Sequence, residues 1–117
     1  MADENTDSIL DGTKKLLGIP PELTAWDPDI IMFINSAFST LRSLGVGPDS
    51  AFSIADKSTQ WASFIGENKD IESVRQYVYL KVRVVFDPPA NSFTLDAFQK
   101  SISELEFRLA VASEKEL

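Results

Sequence analysis

YVYLKVRVVFDPP, Tyr77 to Pro89, reads two ways. In twos, Leu80, Val82 and Val84 alternate with Lys81 and Arg83, as in a half-buried strand. In turns, the stretch closes a longer pattern that begins at Ile71. At 100° per residue, Ile71, Val74, Tyr77, Val78, Val82 and Val85 fall on one side, and Glu72, Arg75, Gln76, Tyr79, Arg83 and Asp87 on the other. The helical template fits everything from Ile71 to Asp87, whereas alternation fits only the middle. A strand of that span would far exceed the usual ~5–6 residues. The spacing therefore predicts a helix, against the β-preference of its valines. Pro88 pushes Asp87 out of the helical region, and Pro88-Pro89 forces the stop.

The flanking segments read the same way. Ser8 is placed to cap a short helix over Ile9–Leu17, ended by Gly18, with Ile9, Leu10, Thr13, Leu16 and Leu17 as its apolar side. IPPELTA is a stiff connector. Asp27-Pro28-Asp29 opens a second helix, with Asp27 as its cap. Its stripe is Ile30, Phe33, Ile34, Ala37, Phe38, Leu41 and Leu44; Asn35, Ser39, Arg42 and Ser43 lie opposite, and Gly45 ends it. Residues 45–58 are a turn-rich loop in which Phe52 and Ile54 suggest a short extended piece. Ser58 is placed to cap a brief helix carrying Trp61, Phe64 and Ile65, stopped at Gly66, and Glu67–Asp70 is a loop. From Phe93 to Ser113, Leu95, Phe98, Ile102, Leu105, Leu109 and Ala112 form a narrow seam suited to packing on another helix. Asp96–Lys100 and Glu104–Arg108 have the spacing of i,i+4 ion pairs. The expected fold is all-α: a single domain over 1–117, a small bundle of about five helices with one long irregular loop and a long C-terminal helix. Residues 1–7 and 113–117 are expected to be flexible ends.

Composition narrows the function. The chain has 117 residues, 44% of them apolar and 25% charged, as in ordinary globular domains. No apolar run approaches the ~20 residues of a membrane span. The acidic, polar N-terminus MADENTDS has the character of neither a signal nor a transit peptide. Cys and His are both absent. Disulfides, thiolate metal sites and histidine acid–base chemistry are thereby excluded. Net charge is −7, and Lys14-Lys15 is the one adjacent basic pair, so a phosphate-neutralising surface is not evident. Asp27 and Asp29 read as helix-start groups, GVGPD as a turn without a P-loop lysine, and no nucleophile or metal motif is present. No enzyme activity and no cofactor are expected.

Two positions break the pattern. Lys81 projects into the apolar stripe between Val74, Val78 and Val85. Three readings stand: its stem packs while the ammonium reaches water, it pairs with a carboxylate from another helix, or it contacts a partner molecule. Phe107 and Val111 lie opposite the last helix's seam. Either the Trp61 segment covers them, or they form a face awaiting another subunit. Trp26, Trp61 and Phe52 are not interleaved with basic residues, which favours packing over base stacking.

The segments in order also resemble a known family. DPDIIMFINSAF, LGVGP and YLKVRVVFDPP, with FSIAD, TQWASFI and ISELEFRLAVA between and after them, are similar to the small head–tail connector (adaptor, or head-completion) proteins of long-tailed phages and prophages, often labelled phage DNA-packaging proteins. The resemblance runs from Ile9 to Ala112. One departure is Phe107, where a Trp is expected. The resemblance implies a mostly helical, non-catalytic subunit that forms a homo-oligomeric ring beneath the portal protein. There it extends the DNA channel, without sequence-specific DNA binding, and docks the next head-completion or tail protein. It implies a place in the virion at the head–tail junction, assembly in the host cytoplasm, and no membrane partner. On this reading Phe107, Val111 and Trp61 serve subunit contacts, Lys81 meets a partner, and Phe52 serves docking, with the loop ordering on docking. The alternative is a non-catalytic helical adaptor or regulatory domain that binds a single protein.

Overall fold

The computed structural model describes residues 7–65 and 70–115. Among them are five α-helices and no strand: α1 Ile9–Leu17, α2 Asp27–Ser43, α3 Trp61–Ile65, α4 Ile71–Phe86 and α5 Ser92–Lys115. The all-α expectation holds. The expected stop at Gly66, most of the 67–70 loop, and residues 1–6 and 116–117 of the two expected flexible ends lie outside the described residues, whereas residues 113–115 are helical.

The decisive stretch is helical to Phe86. Val74, Tyr77, Val78 and Val82 are fully buried and Leu80 nearly so. Each fully buried residue of this size contributes roughly 1.5–3 kcal/mol. The helix penalty of a valine is about 0.5 kcal/mol, so burial overrides propensity. Val85, expected on the buried stripe, is instead exposed, because the chain there reaches the end of the bundle. Asp87 then turns out of the helix at φ −148°, ψ 68°.

α4 is the central element, packed against α1, α2 and α5. Trp26, before α2, meets Phe86 at the end of α4 with ring centroids 5.8 Å apart, while Tyr77 contacts Thr40 near the far end of α2. The two helices are thus antiparallel. Tyr77 also donates to Glu106 Oε2 at 2.7 Å, and Arg83 lies over Phe98, so α4 and α5 are antiparallel as well. The α5 seam is realised: Ile102, Leu105 and Leu109 are buried, and Leu95, Phe98 and Ala112 half-buried. The expected Asp96–Lys100 and Glu104–Arg108 pairs are not among the ion pairs of the described residues.

Residues 45–58 contain no extended strand, yet they are tied down within the subunit. Asn35 donates to Ile54 O at 3.0 Å and accepts from Ile54 N at 2.8 Å. Arg42 donates twice to Asp49 O, at 3.2 and 3.1 Å. Phe52 lodges among Phe38 and Phe64, with centroids 5.0 Å from each. Ordering of this loop therefore needs no partner. Ser58 does not cap α3; its N–H and hydroxyl bond Asp56 Oδ1 at 2.9 and 2.6 Å, which holds the Asp56 carboxyl below its usual pKa. Ser113, expected at a loose end, is helical and donates to Gly45 O at 2.7 Å.

Candidate partner-binding surfaces

The structure separates the residues singled out in the sequence. Trp61 is only 3% exposed, its ring 6.0 Å from that of Phe38, so it is a core residue of the subunit. Phe52 is half-buried in the same aromatic cluster. Neither protrudes as a docking side chain in this conformation, because the aromatic cluster consumes them. Lys81 is half-buried, with Nζ 5.9 Å from the Tyr77 ring centroid. Its stem packs along α4 while its ammonium sits over an aromatic face, the geometry of a snorkelling lysine. No carboxylate pairs with it among the described residues.

Phe107 is 70% exposed and Val111 half-buried, so the Trp61 segment does not cover Phe107. The same face of α5 carries Phe93, 84% exposed, which sequence reading placed only at a helix start. The two phenylalanines are four turns apart and point within about 40° of each other on an ideal helix. Asn91 fixes this end of α5: its Oδ1 accepts from Phe93 N at 2.7 Å and Thr94 N at 3.2 Å. Such a cap satisfies two of the four orphan donors and sets the angle at which Phe93 leaves the bundle. The signal was available in part: Phe93, Ala97, Phe107 and Val111 share one heptad-spaced line opposite the seam, interrupted at its middle by Lys100 and Glu104.

Among the described residues the buried charged side chains are Lys14 and Asp11, neither of which the sequence reading singled out for burial. Lys14, not Lys81, is enclosed, at 1% exposure. Its Nζ reaches Pro21 O at 3.0 Å, Leu23 O at 2.8 Å and Asp27 Oδ1 at 2.8 Å. Two of these contacts are hydrogen bonds and the third is an ion pair, in which Asp27 Oδ1 makes no hydrogen bond. Asp27 was expected to cap α2; it is instead the first helical residue, Trp26 occupies the cap position without a side-chain bond, and the carboxylate serves Lys14. Lys14 lies on the buried side of α1, whereas Leu16, expected there, is 55% exposed. The site is structural: it clamps the proline connector onto α1. Among the described residues, no group of three or more Asp or Glu side chains is placed to hold a metal ion. Burial and Glu106 together push the Tyr77 phenol well above its ordinary pKa. No described helix is long and apolar enough to cross a membrane.

The chain is thus a small all-α protein of five described helices whose last helix keeps one apolar seam inside and leaves Phe93 and Phe107 in solvent. The chain belongs to the phage connector protein family, whose model matches residues 9–116. Its role is that of a phage connector. Neither curated proteins nor solved structures give a match.

Proposed function

We propose that this connector is one subunit of a ring beneath the portal of a long-tailed phage or prophage. The ring extends the DNA channel and docks the next head-completion or tail protein. No catalytic step and no cofactor enter this role. The observation that carries the reading is the outer face of α5, where Phe93 and Phe107 stand 84% and 70% exposed on a helix whose opposite face is already packed. Large apolar side chains in water cost free energy that a neighbouring subunit recovers at roughly 25 cal/mol per Å². The net charge of −7 supports the channel reading, since like charge weakens contacts to phosphates and lets DNA slide.

The test is co-sedimentation of the purified protein with the portal ring encoded in the same genome, counting copies bound per portal. Saturable binding near one copy per portal subunit supports the ring. No binding at high micromolar concentration overturns it in favour of an adaptor that binds a single partner.

A further inference from the structure

A groove of about 560 Å³ runs between α1 and α4. Its apolar part includes Leu16, Trp61 and Tyr79, and Lys15 and Arg75 stand on it. Arg75 is already paired with Asp7 at 3.1 Å, whereas Lys15 has no ion pair among the described residues. Leu16 is 55% exposed. One wall of the groove is therefore an apolar side chain left in water beside the Lys15 cation, and Glu72 stands on the opposite wall.

At another place on the molecule stands its complement. Phe93 is 84% exposed, the most exposed of the large apolar side chains among the described residues. Asp87 and Asp96 flank it in the sequence, with Arg83 and Lys100 one turn further out on either side. Asp87 is engaged by Arg83; Asp96, one turn beyond Phe93, has no ion pair among the described residues. Phe93 is an apolar knob with Asp96 and Lys100 on the turns that follow it, and the groove is an apolar slot with Lys15 and Glu72 on it.

Phe93 does not reach the groove of its own chain. The groove touches α4 at Glu72–Tyr79, and Phe93 follows the end of α4 at Phe86. Gln76 to Phe86 alone spans about 15 Å at 1.5 Å per residue. A knob and a slot on different parts of one surface make a heterologous contact between copies, which closes into a ring or runs on as a filament. We infer that Phe93 of one copy seats in the α1–α4 groove of the next copy, with Asp96 facing Lys15 across the contact. The inference deepens the ring reading and rests on it for the closure of the contact, but not for the contact itself.

The absence of cysteine from the chain makes a direct test clean. Two single variants, D96C and K15C, are mixed at high micromolar concentration, oxidised, and read on a non-reducing gel. The expected product is a disulfide-linked dimer of the two variants, and a D96C/K15C double variant gives a ladder. F107C with K15C is the control; Phe107 lies about 21 Å along α5 from Phe93, so it does not share the slot. F93S added to the D96C partner reduces the product by about tenfold or more, the loss expected on removing a buried aromatic anchor. Phe93 is exposed, so its replacement leaves the fold intact, checked by circular dichroism. A D96C–K15C product no stronger than the F107C control, or one that F93S leaves undiminished, overturns the inference. Portal co-sedimentation is scored separately: a connector that binds the portal without this cross-link keeps the ring reading and loses the contact, and the converse result keeps the contact and loses the portal.

Discussion

Lys14 and Phe93 are inversions of each other. One is a charged side chain sealed from water, the other the most exposed large apolar side chain among the described residues. By residue type each is in the wrong solvent. What separates them is the accounting of partners. Lys14 is met inside the chain, by hydrogen bonds to two carbonyls and by the charge of a carboxylate. Phe93 has only its backbone secured, through Asn91, and its ring is left open. A misplaced group with all its partners at home holds a fold together. A misplaced group without them points outward to another molecule.

The sharpest way to break this comparison is Lys14→Met. The thioether fills much of the same space but leaves Asp27 and the Pro21 and Leu23 carbonyls without their donor. Removing one member of a buried pair costs about 3–5 kcal/mol. Asp27 keeps 21% exposure, which places the expected loss near about 3 kcal/mol. Urea unfolding followed by circular dichroism measures it. A loss below about 1 kcal/mol would show that the clamp is dispensable.

Gly47→Ala probes the interior from the other side. Gly47 has φ +97°, and a Cβ built there lies 2.5 Å from the Phe64 ring. Phe64 is wedged by Phe38 and Phe52, so it has little room to give. Left-handed strain of roughly 1–2 kcal/mol and overpacking of roughly 1–3 kcal/mol act together, for an expected loss of about 2–5 kcal/mol. Gly18 has φ +82° but open space around it. Gly18→Ala therefore costs the backbone term alone, about 1 kcal/mol. Equal unfolding midpoints for the two variants would refute the packing argument.

Tyr77→Phe removes the hydroxyl that joins α4 to Glu106, at a cost of about 1 kcal/mol near neutral pH. It also changes the alkaline limb. The folded phenol has a raised pKa, from burial first and Glu106 second. The unfolded phenol ionises near 10. Stability contributed by the neutral phenol is complete below pH ~10 and lost as pH rises toward the folded value. Between pH 9 and 11 the wild type should thus lose stability more steeply than the Phe variant. Parallel curves would assign the alkaline loss to other groups.

Much of this arrangement was legible in the sequence. The helix over Tyr77–Phe86, the α5 seam, the Ser8 and Gly18 ends of α1 and the family all followed from periodicity, turn chemistry and local motifs. Lys14 was missed although Leu10, Thr13, Lys14 and Leu17 have i, i+3, i+4, i+7 spacing. Two of its three partners are backbone carbonyls of the connector, and a carbonyl carries no side-chain signature to read. The same limit moved Trp61 and Phe52 inward: their burial depends on a loop path held by Asn35 and Arg42, contacts that span long separations in sequence. Phe93 was overlooked because helix-start position masked its membership in the second line of α5.

Phe107→Ser is the smallest perturbation and the most selective. A side chain 70% exposed contributes little to the fold, so unfolding stability should shift by no more than about 0.5 kcal/mol. Its effect should appear only in assembly, as fewer connector copies retained per portal at fixed concentration. Because Phe107 lies four turns from Phe93, the D96C–K15C cross-link should survive this substitution. A connector that loses portal retention while keeping that cross-link divides the outer face of α5 into two working ends, one for the neighbouring copy and one for the next component. A connector that loses both would instead make the face one continuous interface, with Phe93 and Phe107 acting together.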